Sequence, residues 1–180
     1  TYTIEVECDS IKSSQQVVVV SDPRMALSLS ELNQQQVRFD KVYDLIGKTT
    51  ALCDELRNAQ NSIKKVNKLL PVERDSTQKA IYKLGKKVND SIQSILDEML
   101  GKKDVKGIFR DNNLLLNKLN RPLWLALGTL SGNEQSFNNA YAKAEQAVEK
   151  SIADVQGFLM KDWIEYKDQV SKIILDPFEE

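Results

Sequence analysis

The sequence lacks histidine altogether and carries none of the short motifs that bind nucleotides or calcium. Histidine is the commonest general base of enzymes and a very common metal ligand, and di-metal helix bundles use a Glu-x-x-His motif. No glycine-rich dinucleotide loop, Walker loop or EF-hand loop is present. We therefore expect no catalytic residue, no cofactor and no metal ion, so this chain is not expected to be an enzyme by itself.

Cysteine is nearly absent, with only Cys8 and Cys53 and no C-x-x-C spacing. Two cysteines cannot form a disulfide framework. Cys53 falls on an apolar helix position, where a free thiol behaves as a small hydrophobic side chain. A Cys8–Cys53 disulfide is disfavoured because disulfide geometry is demanding.

Glycine and proline are also scarce, with 7 Gly and 4 Pro, and the net charge is only −1. Few breakers predict long, uninterrupted elements. The near-zero charge gives no support, at the level of the whole chain, for a nucleic-acid or anionic-membrane partner. No run of about 18 apolar residues occurs, so no membrane span is expected.

The first 22 residues predict a β-hairpin. Residues 1–7 alternate strictly, with Tyr2, Ile4 and Val6 on one face. Asp9-Ser10 supplies turn chemistry, and residues 15–20 end in four valines typical of a second strand. Because a two-stranded hairpin is marginal in water, it either packs on the helices or belongs to a larger sheet.

Residues 23–180 predict a helical bundle domain. Ser28 and Glu31 form a capping box for a helix of roughly 40 residues, which Pro71 ends. A second helix begins at Asp75 or Ser76 and runs to Leu100, with Gly101 following it.

Two more helices are predicted after a loop over residues 101–110. Asp111 caps a third helix reaching Leu130, which Pro122 should kink or split. Ser131 and Glu134 form a capping box for a fourth helix towards Trp163. Residues 163–174 either continue that helix or form a fifth. The predicted fold is mainly α: an antiparallel, up-down four-helix bundle with long helices, preceded by the hairpin.

A lysine stripe on the second helix is the first candidate interaction surface. It consists of Lys79, Lys83, Lys86 and Lys87, extended by Lys102, Lys103 and Lys106. Such a stripe could bind phosphate or an acidic polymer. The solvated face of an ordinary helix is the favoured interpretation, and the absence of stacking aromatic residues argues against nucleic acid.

The tryptophans and two carboxylate pairs are the remaining candidates. An exposed Trp124 or Trp163 would indicate a carbohydrate platform or an interface. Both follow apolar stripes, which favours packing between helices. The pairs Glu145 with Glu149 and Asp162 with Glu165 could serve sugar chemistry, but they fall on polar helix faces.

The first 24 residues resemble the last hairpin of a fibronectin-III- or immunoglobulin-like sandwich, followed by an Asp-Pro-Arg segment that leaves the sandwich. Their sequence, Thr1–Arg24, is TYTIEVECDSIKSSQQVVVVSDPR. This arrangement is similar to the C-terminal region of bacterial sortilin/VPS10-type β-propeller proteins, the BNR-repeat, glycosyl-hydrolase-like family. Three later segments resemble parts of that family's helical tail. They are Leu32-Asn33-Gln34-Gln35, residues 111–127, and Leu159 with Trp163.

The resemblance implies a non-catalytic C-terminal module of a larger, secreted or periplasmic protein, whose propeller would hold any active site. Its partners would be the propeller and sandwich of the same polypeptide. Two alternatives stay open. One is a self-associating, coiled-coil-like module that dimerises through the hairpin edge or helix faces. The other is a helical domain that binds carbohydrate or a partner.

Overall fold

The computed structural model describes residues 1–20, 22, 24, 28–102, 111–128 and 134–173. The chain divides into two compact units, Thr1–Val37 and Arg38–Glu180. The predicted boundary between residues 22 and 23 stays a prediction, and Pro23 lies outside the described residues.

The hairpin consists of the antiparallel strands β1 (Tyr2–Cys8) and β2 (Ile11–Val17). Asp9 has a φ of 53°, the left-handed conformation that a two-residue turn requires. The prediction of a second strand over residues 15–20 is wrong at both ends. The tight turn pairs Cys8 with Ile11, so the ladder ends where Tyr2 pairs with Val17, and residues 18–20 lie beyond it.

The first two helices begin and end at the predicted positions. Helix α1 spans Leu29–Leu69, and helix α2 spans Ser76–Leu100. At the start of α1, the Ser28 Oγ accepts the backbone N–H of Glu31 at 3.2 Å, and the Ser28 N–H donates to Glu31 Oε2 at 2.8 Å. Asp75 forms the equivalent reciprocal pair with Gln78 at the start of α2.

Helix α3 spans Leu115–Leu127 and differs from its prediction in two respects. Its N-cap is Leu114, not Asp111, because the Asp111 carboxylate accepts the N–H of Asn113 in the turn before the helix. Pro122 does not split the helix but lies buried inside it. The predicted end at Leu130 and the capping residue Ser131 lie outside the described residues.

Helix α4 spans Glu134–Phe158 and continues through a π-helical turn, Leu159–Trp163, into α5, Ile164–Val170. Residues 163–170 therefore continue the fourth helix, and the chain turns at residues 171–173. A π turn holds more residues than an α turn, so it changes which side chains after it face the core. Ile174 and Pro177 lie outside the described residues.

The helices of Arg38–Glu180 form three long helical segments, which we call legs: α1, α2 with α3, and α4 with α5. Consecutive legs run in opposite directions. Gln60 on α1 bonds Gln93 on α2 at 3.3 Å, while Ile63 lies beside Gly85. Nearer the start of α1, Val42 shares a small apolar cluster with Ala126 of α3 and Phe137 of α4. Helices α2 and α3 thus follow one another along the same leg, and α1 also contacts α4 directly.

The core lies along the seam of these legs, and its largest fully buried side chains come from all of them. They are Tyr166, Leu56, Ile63, Ile92, Val42, Val148, Val155 and Pro122. The prediction of a mainly α fold with four helices after a two-stranded antiparallel hairpin is confirmed. These helices form three antiparallel legs, because α2 and α3 run in the same direction.

Candidate functional site

The hairpin has one apolar face, and that face is exposed. Residues opposite one another in an antiparallel pair, and alternate residues along a strand, share a face. This mainly apolar face carries Tyr2, Ile4, Val6 and Cys8 on β1 and Ile11 and Val17 on β2, with Ser13 and Gln15 between the last two. Every residue of both strands is exposed, including Ile11 at 73%. The alternating sequence predicted this face, but nothing in the sequence indicated that it would be uncovered.

The opposite face of the hairpin is polar. Lys12 pairs with Glu7 at 3.1 Å and with Glu5 at 3.5 Å, and Thr3, Ser14 and Gln16 complete this face. Exposed pairs of this kind contribute little stability. The two faces therefore differ, and exposure to water is unfavourable in free energy only for the apolar side chains of the first face.

The lysine stripe lies on the solvated side of α2. Lys79, Lys83, Lys86 and Lys87 are all exposed, as is Lys102 after the helix, whereas Lys103 and Lys106 lie outside the described residues. A shallow, open groove of about 510 Å³ runs beside the stripe, lined by Lys83, Lys86, Lys87, Asp90, Ser91 and Ser94.

The two tryptophans have different environments. Trp163 is half-buried, packs against the main apolar core and stacks on Tyr166 of the same helical segment, with ring centroids 5.6 Å apart. Trp124 is 71% exposed, so its predicted packing is wrong. Helix α3 buries Leu115, Leu119 and Ala126. Trp124 lies on another side of the helix, which also exposes Leu116 and Leu127.

Tyr166 is the most unusual titratable group in the core. Its side chain is 1% exposed, and its hydroxyl has no hydrogen-bond partner among the described residues. Burial raises the pKa of Tyr166 to about 12. An ideal Cβ on Gly85 would lie 3.1 Å from the ring Cε2 and 3.3 Å from the hydroxyl oxygen, so glycine at this position lets the ring pack against α2.

The two carboxylate pairs lie at exposed or half-buried positions of α4 and of the helical segment that follows it. The hydroxyl of Tyr141 donates to Glu145 Oε1 at 3.1 Å. Burial and this hydrogen bond raise the pKa of Tyr141. Glu149 and Glu165 are exposed, and Asp162 is half-buried. These contacts are those of ordinary helix faces.

Both cysteines are free thiols. Cys53 is buried in the core of α1, and that burial raises the pKa of its thiol, which keeps it unreactive. Cys8 is exposed on the apolar face of the hairpin. The two thiols therefore lie in different environments, one in the helical core and one exposed on the hairpin.

A cavity of about 1000 Å³ lies between the end of α2, the start of α3 and the middle of α4. Its wall mixes carboxylates such as Asp97 with lysines such as Lys150, which already pairs with Asp154 at 2.9 Å. Across the described ranges, no three residues of the metal-binding types form a group that could hold a metal ion. In the same ranges, no helix combines the length and apolarity needed to cross a bilayer.

Comparison of the chain with protein-family models, curated proteins and solved structures finds no match. The resemblance of Thr1–Arg24 to the C-terminal region of sortilin-type propeller proteins therefore rests on the sequence alone.

Proposed function

We propose that this chain is a non-catalytic C-terminal structural and interaction module of a larger, exported propeller-type, glycosidase-like protein. In this proposal the hairpin completes a β-sandwich of the same polypeptide, and the helical bundle braces the assembly or docks a partner. The observation that carries the proposal is the uncovered apolar face of the hairpin.

The hairpin cannot be explained as a self-sufficient element. A pair of seven-residue strands with no covered face is marginal in water. Its mainly apolar face carries Tyr2, Ile4 and Val6 on one strand and Ile11 and Val17 on the other, where Ser13 and Gln15 lie between them. This one-sided pattern is what a strand pair of a sandwich needs, since one face packs on the facing sheet and the other stays solvated.

Lysine substitutions on the two faces of β1 test the interface in the complete product of the gene. Ile4→Lys would place a charge on the apolar face, and Glu5→Lys would place the same side chain on the polar face. We expect Ile4→Lys to expose the junction before α1 to limited proteolysis and release the helical module. Glu5→Lys should behave as the unchanged protein. Equal resistance of both variants would contradict the proposal, as would a gene product with no β-rich domain before residue 1.

Removal of the bundle tests the non-catalytic role. In the complete protein, deletion of residues 25–180 should leave turnover of a glycoside substrate largely intact while the propeller stays folded. Loss of turnover with a folded propeller would place catalytic residues in the bundle and overturn this part of the proposal.

Self-association is a second candidate, favoured by the same hairpin. Both outer strand edges are unpaired within the part of the chain that the structure describes, and such edges readily pair with another chain. Sedimentation of residues 1–180 and of residues 22–180 distinguishes the cases. A dimer that persists without residues 1–21 would point to the helix faces, whereas a dimer lost with them would point to the hairpin.

Carbohydrate binding is a third candidate, favoured by the exposure of Trp124. A sugar stacked on this indole would protect its fluorescence from iodide quenching. A Trp124→Phe variant isolates the half-buried Trp163 and serves as the control. Emission that no oligosaccharide protects would remove this candidate.

A further inference from the structure

The basic residues of the bundle are concentrated at one end. Eight of the chain's 25 basic residues and two of its 26 acidic residues lie between Lys64 and Lys87, which gives these residues a net charge of +6 and leaves −7 for the rest of the chain. The basic residues are Lys64, Lys65, Lys68, Arg74, Lys79, Lys83, Lys86 and Lys87. A chain with almost no net charge thus has a strongly polarised charge distribution.

This segment forms the turn of a helical hairpin, which we call the basic tip (residues 64–87). Helix α1 ends at Leu69 and α2 begins at Ser76. At 1.5 Å per residue, Lys87 lies only about 17 Å along α2 from its first residue. The charges therefore surround one end of the bundle within roughly three helical turns.

The lysines of the basic tip are not neutralised by the protein. All seven are exposed, and none has a carboxylate within 4.0 Å among the described residues. Elsewhere in the bundle, Lys48 and Lys150 do pair, with Asp44 at 2.7 Å and with Asp154 at 2.9 Å. The basic tip is therefore available to an external anionic partner.

Apolar side chains project from the same tip. Val72, in the connection between the helices, is 97% exposed, and Leu69 at the end of α1 is 38% exposed. Single exposed apolar residues are ordinary on protein surfaces. Here, however, they lie between two lysine-rich helix ends, and that combination is typical of segments that bind at a lipid interface.

We propose that the basic tip binds an anionic lipid surface, with its lysines against the headgroups and Val72 and Leu69 at the level of the acyl boundary. Nucleic acid fits less well, because that recognition uses arginine forks and free aromatic rings. Tyr82 is the only aromatic residue of the tip, and the Arg74 guanidinium occupies one face of its ring, with Cζ 4.2 Å from the ring centroid. This inference is independent of the hairpin interface, so either proposal can fail alone.

Vesicle co-sedimentation of the 180-residue chain tests the proposal. The vesicles are phosphatidylcholine alone or phosphatidylcholine with about 30% phosphatidylglycerol. We expect binding to the anionic vesicles only, weakening as salt is raised because the lysines are solvent-screened. The triple variant Lys79→Glu, Lys83→Glu, Lys87→Glu should lose about tenfold or more in partition.

A matched control carries the same change in net charge away from the tip, with Lys41→Glu, Lys102→Glu and Lys143→Glu, three exposed lysines. It should keep more of the binding than the tip variant, and circular dichroism verifies that both are folded. Val72→Asp should also weaken binding. Equal losses in tip and control variants, or equal binding to neutral vesicles, would overturn the proposal. So would binding to an RNA duplex without binding to vesicles.

Discussion

The contact between Gly85 and Tyr166 yields a prediction opposite to the usual effect of the substitution. Replacing a glycine by alanine inside a helix normally stabilises it by about 1 kcal/mol, because glycine loses more backbone freedom on folding. At Gly85 the new Cβ would lie 3.1 Å from the Tyr166 ring. That ring is buried and stacked on Trp163, so it has little room to move.

The expected result follows from the balance of two effects. Overpacking a well-filled core costs about 1–3 kcal/mol, which exceeds the helical gain. We therefore expect Gly85→Ala to lower the free energy of unfolding by about 1 kcal/mol. Gly47 in α1 and Gly157 in α4 have no atom within 4 Å of an added Cβ. The substitutions Gly47→Ala and Gly157→Ala should each raise the free energy of unfolding by about 0.5–1 kcal/mol.

Urea unfolding followed by circular dichroism at the helical band measures all three variants under the same conditions. A double variant with Tyr166→Leu checks the cause, since removing the ring should restore the stabilising effect of alanine at Gly85. If Gly85→Ala stabilised the protein as much as Gly47→Ala does, the packing of Tyr166 against α2 would be refuted.

Three further predictions concern the stability of the bundle. Because burial raises the pKa of Tyr166 from 10.0 to about 12, the free energy of unfolding should fall as pH rises through that window, and Tyr166→Phe should remove this loss; an unchanged alkaline profile would contradict it. Asp75→Ala should cost about 0.5–2 kcal/mol by removing the cap of α2, and thermal unfolding would show no shift if the cap is unimportant. Leu56→Ala should cost about 2–5 kcal/mol, whereas the exposed Leu116→Ala should cost little, so similar costs in urea would refute the burial of Leu56.

The helices could be predicted from the sequence because local chemistry defines them. The apolar spacing of α1 and α2 and the reciprocal caps at Ser28 and Asp75 act within a few residues of one another. The end of α1 before Pro71 follows from the same local rules. No knowledge of the tertiary structure was needed for these elements.

The errors arose where longer-range geometry overrides local preference. Valine favours strands, but the turn at Asp9 fixes a register that leaves residues 18–20 outside the ladder. Pro122 was expected to kink or split α3, and it does not split the helix but lies buried within it. The exposure of Trp124 depends on which side of α3 faces α4, and that choice is not encoded in the spacing of its leucines.

The candidate surfaces were predictable only in part. The lysine stripe and the apolar strand pattern are visible in the sequence, whereas their exposure is a property of the folded chain. The basic tip also depends on tertiary structure, because the antiparallel packing of α1 and α2 gathers lysines from two helices at one end.

The central claim, that a covering β-sheet packs on the apolar face of the hairpin, is tested most directly by labelling Cys8 with a maleimide. Cys8 lies on that face, and the buried Cys53 is an internal reference. In residues 1–180 alone, Cys8 should react rapidly, and Cys8→Ser should abolish this fast phase. In the complete gene product, Cys8 should react as slowly as Cys53. Equally rapid labelling of Cys8 in both proteins would show that nothing covers the face and would contradict the account.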